Sequence, residues 1–381
     1  MTDTTIAGPD RPFIRTEMLT PQPPPTAVSG FAGWARQNLF SGPMNALLTL
    51  VCAALAVYLL WVFIDFLLLR AVWTGTNREA CIAPGVGACW PFITNRFGQL
   101  LYGFYPADEH WRPATVFFVA VALIVPLLTP SAPYKKANAL LFFVAFPIFA
   151  FVMLHGGYFG LRTVETRAWG GLLVTLVVAT TGIVASLPLG ILLALGRRSK
   201  LPLIKFVSIA FIEFWRGVPL ITVLFFATYM LPLFLPSGWT IDGLLRALVG
   251  VALFSAAYMA EVVRGGLQAI PKGQYEGAMA MGLRYWPMML LIVLPQALKL
   301  VIPGIVNTFI GLFKDTTLVA IVSIFDFLGI IRAAFADPNW ATPMTVYTGF
   351  AFAGIVYFVF CYGMSRYSRF VEERLDTGHK R

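Results

Sequence analysis

Charge is scarce in this chain. Of its 381 residues only 12% are Asp, Glu, Lys or Arg, about half the share of an ordinary soluble domain. That shortage excludes a soluble globular fold. Histidine and cysteine are scarcer still, with three and four copies. His110, His155 and His379 are scattered, and no Cys/His spacing matches a metal centre. The chain lacks a G-x-x-x-x-G-K-[ST] phosphate loop, so it is not expected to hydrolyse ATP itself. It also lacks G-x-S-x-G and H-E-x-x-H, and no catalytic constellation replaces them. The net charge is +10. No basic stripe interleaved with aromatics stands on a soluble segment, so nucleic-acid binding is excluded. The positive balance instead fits Lys and Arg gathered on the cytoplasmic side of a membrane.

What is abundant is apolar sequence: 58% of residues, with 33 Phe. About eight runs have the length of a membrane span, about 20 residues each. They are Asn45 to Leu69, Pro113 to Leu128, Asn138 to His155, Trp169 to Leu195, Pro219 to Leu235, Leu244 to Ala260, Met288 to Phe313 and Thr345 to Tyr362. Pro295 and Pro303 are expected to bend or break the seventh. The fold class is therefore all-α integral membrane. Residues 1–44, with the Pro-rich "TPQPPPT" from Thr20 to Thr26, read as a flexible cytoplasmic tail without a cleavable signal. Residues 45–168 hold three spans and an outer loop, 70–112. Residues 169–374 hold five more, and 375–381 form a second tail. No internal repeat is evident.

Lys135, Lys136, Arg197, Arg198, Lys200, Arg264, Lys272, Arg284, Arg366 and Arg369 all fall on one side by this count. That side is expected to be cytoplasmic, with both termini there. Arg70, Arg78, Arg96 and Arg112 run against the rule, in or beside the outer loop. Cys81 and Cys89 enclose "IAPGVGA" in that loop. A disulfide is permitted there if the loop faces a periplasm; two unrelated thiols are the alternative.

One insert interrupts the apolar pattern, residues 261–295. Pro271-Lys272-Gly273 signals a turn. Gln274 to Met281 reads as a short helix with small residues at Gly277, Ala278 and Ala280. Gly277 lowers helix propensity by about 1 kcal/mol relative to Ala, which favours close approach over local stability. Gly282 can end the helix through a left-handed backbone. By physics alone an ordinary cytoplasmic hairpin remains the simplest reading. Upstream, Pro202 to Arg216 is amphipathic and expected to lie along the cytoplasmic interface. Glu213 and Arg216 there read as snorkelling anchors able to pair at i,i+3.

Glu276-Gly277-Ala278, three residues, Gly282, nine residues, Ile292, one residue, Leu294-Pro295 resembles the EAA signature of ABC importer membrane subunits. Gly277 stands where that family usually has Ala. "EFWRGVPLI" (Glu213 to Ile221), "AYMAEVVRGGLQAIPKGQYEGAMAMG" and "LPQALKLVIPGIVNTFIGLFKDTTL" are similar to the polar amino-acid branch. The resemblance covers about Trp169 to Arg374. It implies a type I importer core in the last five spans. The leading spans and tail resemble the M-type subunit of general L-amino-acid transporters. Gln274, Tyr275, Glu276, Gly277, Ala278 and Gly282 would then form a coupling helix seated in a cytoplasmic ATPase. The further implied partners are a homologous permease subunit in a heterodimer, a periplasmic amino-acid-binding protein, the L-amino-acid substrate and membrane lipid. ATP-Mg would bind the ATPase, and this chain would hold no cofactor. The expected location is a bacterial inner membrane.

A polar strip marks the seventh span. Asn307, Gly311 and Lys314 recur at i, i+4 and i+7, with Thr308 and Asp315 one step round and Thr316 and Thr317 following. Charge inside a span is costly and by default faces a bundle interior or a water-filled path. Lys314 and Asp315 suit the two ends of a zwitterion; interhelical pairing or a place near the outer rim are the alternatives. A secondary transporter or channel without an ATPase is the competing function, but it predicts inverted repeats that the chain does not display.

Overall fold

Proline positions explain three of the four wide turns among the described residues. A computed structural model describes residues 30–236 and 238–375. Its wide turns Leu141–Ala145, Phe226–Met230 and Met289–Val293 each end two residues before a proline, namely Pro147, Pro232 and Pro295. Proline has no N–H to offer the carbonyl four residues back, and its ring crowds that carbonyl. A wide turn moves the carbonyl aside, so the helix bends without breaking.

The chain divides between Phe66 and Leu67. The first unit holds α1 (Gly30–Asn38) and α2 (Pro43–Ile64). The expected tail 1–44 thus contains a helix; its first 29 residues lie outside the described residues. Pro43 starts α2 without cost, because a first-turn N–H has no helical partner. No residue of α2 is buried, so its apolar surface suits lipid on every side.

The second unit begins with α3 (Trp90–Tyr102), α4 (Trp111–Leu128), α5 (Lys135–Leu140) and α6 (Phe146–His155). Then come α7 (Gly171–Arg197), α8 (Pro202–Gly217), α9 (Leu220–Phe225) and α10 (Gly243–Ala269). The last are α11 (Lys272–Ala280), α12 (Tyr285–Met288), α13 (Leu294–Leu300), α14 (Ile302–Asp315), α15 (Phe327–Ala334) and α16 (Pro343–Leu375). Among the described residues, seven helices are long and apolar enough to cross a membrane. The count is eight if α8 and Leu220–Phe234, bent by 102°, form one span. The described residues form no strand.

At the centre α7 lies against α10. Lipid tails are as apolar as Leu, so close packing of small residues, not water exclusion, holds such helices together. Gly190 illustrates this. A Cβ there would lie 2.7 Å from the Met259 side chain and 3.0 Å from the Ala260 backbone nitrogen.

Several boundaries refine the expected ones; the last helix, for one, runs Pro343–Leu375. The helix of the sixth span runs on past Ala260 to Ala269, and Glu261 and Arg264 pair within it. The seventh is broken at Val301, giving a short helix Tyr285–Leu300 and a span Ile302–Val322. Pro303 sits in the first turn of α14, where its missing N–H starts a helix instead of kinking one. The outer loop 70–112 contains α3, whose Phe92, Ile93 and Leu100 are buried in one cluster with Phe327, Ile330 and Trp340.

Two of the arginines that run against the expected topology, Arg112 and Arg96, are taken up within the protein. Arg112 is fully buried and donates to the carbonyls of Met153 (2.6 Å) and Arg162 (2.8 Å). Arg96 pairs with Asp337. Cys81 and Cys89 are joined by a disulfide, and the Cys89 N–H donates to Thr348 Oγ1 at 2.8 Å. Tyr105 donates its hydroxyl to the Leu154 carbonyl at 2.9 Å, and burial pushes its pKa up to about 12. Asp326 caps α15, accepting from Gly329 and Leu328 N–H and from the Tyr357 hydroxyl. Burial raises its carboxyl above the usual range despite those donors.

Candidate functional site

The insert forms α11, and its sequence determines both of its faces. Ala278 is buried in a cluster with Leu267, Ile270, Met288, Met289 and Val293. Glu276, Gly277, Met279 and Ala280 point outward. A Cβ at Gly277 would meet nothing within 4 Å. The close approach expected at Gly277 is therefore not made to the chain's own described residues. Gly282 lies at φ +75°, with its N–H on the Met279 carbonyl (2.9 Å) and the Leu283 N–H on the Ala278 carbonyl (3.1 Å). This double bond pattern is the left-handed glycine cap of a helix C-terminus. Leu283 then packs into the same cluster as Ala278.

Two side chains lock α11 to the spans. Arg198, just beyond α7, donates to the Leu267 carbonyl at 2.7 Å and to the Tyr275 hydroxyl at 3.1 Å. Its guanidinium also stands 5.5 Å from the centre of the Tyr275 ring. Gln296 on α13 donates to Gln274 at 3.1 Å. These contacts tie α11 to the end of α7, to α10 and to α13.

Beside it lies a charge cluster that sequence reasoning missed. Arg197 meets Glu213 at 2.8 Å and Glu261 at 2.9 Å, and Arg264 meets Glu261 at 2.7 Å. Arg216 stands 3.9 Å from both carboxylates. Glu213 and Arg216 are therefore members of a network joining α7, α8 and α10, not independent snorkelling anchors. Arg197 served only as a topology marker in the sequence; its partners are 16 and 64 residues away, beyond any helical period.

The polar strip lies on α14 and the turn after it. Asn307, Lys314 and Asp315 are exposed, whereas Thr316 is buried. Three hydroxyls turn onto their own backbone: Thr308 to Gly304, Thr316 to Phe313 and Thr317 to Lys314. Thr316 and Thr317 begin a tighter 3₁₀ segment, Thr316–Val322, so they leave the α-helical stripe. Within the candidate span Ile302–Val322, Lys314 and Asp315 stand just past the midpoint of its sequence. The described residues contain no cluster able to hold a metal ion.

A bundle of apolar helices, a short helix with an exposed face and a polar strip within one span together fit a membrane transport subunit. Residues 186–377 match the family described as binding-protein-dependent transport system inner membrane component, and the chain belongs to that family. It is 49% identical over 370 residues to the inner membrane amino-acid ABC transporter permease protein YhdY of Escherichia coli K12. That alignment covers 95% of this chain and 99% of the relative. The glutamate/glutamine/aspartate/asparagine transport system permease protein BztC of Rhodobacter capsulatus is 39% identical, covering 97% of this chain and all of its own length. A crystal structure of an amino acid ABC transporter with histidines aligns over 54% of this chain and 92% of its own at 27% identity, with a TM-score of 0.47.

Proposed function

We propose that this chain is the membrane-spanning subunit of an ATP-driven, binding-protein-dependent importer that moves L-amino acids into the cytoplasm. The observation that carries the reading is α11. Its buried side and its ties to Arg198 and Gln296 give it a rigid seat, while Glu276, Gly277 and Met279 offer a free face. A separate ATPase dimer, holding ATP-Mg, grips that face. Closure of the dimer below the membrane pulls α11 and rotates the helices attached to it. A periplasmic binding protein delivers the amino acid to the opposite face.

The chain pairs with a homologous permease subunit, and the path runs along Asn307, Thr308, Lys314, Asp315, Thr316 and Thr317. Counting the bent pair as one span gives eight crossings, and in this reading both termini lie in the cytoplasm of a bacterial cell. The family match, the relatives' names and the exposure of Lys314 and Asp315 support this assignment. The test is affinity purification in mild detergent followed by reconstitution in liposomes. An ATPase subunit is expected to co-purify, and uptake is expected only with ATP and the binding protein. Uptake by this chain alone would overturn the proposal.

A further inference from the structure

Pro232 frees the carbonyl of Thr228, four residues back, and Arg246 of α10 donates to it. The arrangement leaves two polar atoms buried without a partner, Arg246 Nε and Thr228 Oγ1. Nε itself is closed off from solvent; what Arg246 can present to a ligand is the rest of its guanidinium, a planar donor that suits a carboxylate best. Arg246 lines a cavity of about 660 Å³, together with Thr166, Trp169, Thr240, Asp242 and Ser323. These residues precede α7, begin α10 or follow the 3₁₀ segment after α14. The cavity therefore lies at the end of the bundle opposite α11, which follows the C-terminus of α10.

Asp242 and Arg246 are one helical turn apart, about 5–6 Å between neighbouring side-chain roots. They do not pair with each other. Asp242 accepts from Leu245 N–H at 3.0 Å and from the Thr166 hydroxyl, and it remains exposed. A carboxylate oxygen carries more lone pairs than these two donors use. We infer that the cavity is an outer docking site for the zwitterionic head of an amino acid, with Arg246 taking the carboxylate and Asp242 the ammonium. This rests on the amino-acid cargo proposed above and adds a second stop, separate from the strip on α14. Trp169, buried at 5% exposure, contributes an aromatic side chain to the lining.

The test uses the whole complex in lipid nanodiscs without its binding protein. Cys52 and Cys361 are replaced by Ala, and Thr240→Cys on the cavity lining is labelled with a membrane-impermeant maleimide. L-glutamine at millimolar concentration is expected to slow labelling several-fold. Glutaramate, which lacks the amino group, and 4-aminobutanamide, which lacks the carboxylate, should each protect roughly tenfold less well. Asp242→Asn keeps the cap on Leu245 N–H but removes the charge. It should erase the preference for L-glutamine over glutaramate. Arg246→Lys keeps a donor for the Thr228 carbonyl and should weaken protection roughly tenfold. The inference is overturned if a transporting complex gives no protection, if both variants protect like the parent, or if sulfate protects as well as L-glutamine. A complex that transports no amino acid at all would instead overturn the proposed function.

Discussion

Gly277→Trp and Gly282→Ala separate what α11 does for its own fold from what it does for a partner. At Gly277 a side chain enters open space and replaces the poorest ordinary helix former. The lone chain should gain a few tenths of a kcal/mol. At Gly282 the backbone sits at φ +75°, so a Cβ costs about 1–2 kcal/mol even though the space around it is open. Against a seated ATPase the signs reverse. An indole on the outward face of α11 overfills a fitted contact by about 2 kcal/mol, which is roughly a thirtyfold loss of productive docking. Two assays read the two effects: thermal unfolding of the purified chain in detergent, and ATP-driven amino-acid uptake in proteoliposomes per folded complex. Gly277→Trp should melt at or above the parent temperature and transport about thirtyfold slower. Gly282→Ala should melt lower and transport in proportion to the folded fraction. Parent-like uptake by Gly277→Trp would refute the docking role. A bulky residue at Gly282 alone is a weaker probe, because cap strain and blocked docking would lower uptake together.

Lys314→Ala should lower uptake at least tenfold while assembly and membrane insertion persist; unchanged uptake removes Lys314 from the path. Glu261→Gln leaves Arg197, Arg216 and Arg264 without their shared carboxylate and should destabilise the purified chain by about 1–3 kcal/mol. An unchanged melting temperature would mean that the network is only solvated surface. Gly103→Ala places a Cβ 2.3 Å from the Gly170 Cα and should abolish most folded yield, whereas at Gly98 the nearest atom is 3.4 Å away and Gly98→Ala should express. Cys81→Ser opens the short disulfide loop at a cost of about 2–3 kcal/mol, read as a lower melting temperature and greater protease sensitivity of the outer segment.

Much of the architecture was legible because membrane spans are a property of composition. Runs such as Asn45 to Leu69 and Thr345 to Tyr362 announce themselves by length and hydropathy alone. The bend marked by Pro295 was legible too, since a missing N–H acts on its own chain within one turn; those before Pro147 and Pro232 were not read. Charged residues misled the reading wherever they were paired. Glu261 and Arg264 looked like the end of a span, and Arg112 looked like a topology violation. Each is satisfied by a partner that no local window contains.

The exposed helix α11 divides the two kinds of information most clearly. Its existence, its glycine cap and its place after α10 were determined by sequence, because turns, caps and helix propensity are local energies. Which side it buries, and which side it leaves for a partner, depended on tertiary structure. Ala278 and Gly277 are adjacent small residues that local physics cannot tell apart. Only packing against Leu267, Met288 and Val293 commits one to the core and the other to solvent. The same holds for Arg246: one cation near the start of a span becomes a candidate binding group only when folding ties it to the Thr228 carbonyl that Pro232 frees and sets it in the lining of a cavity.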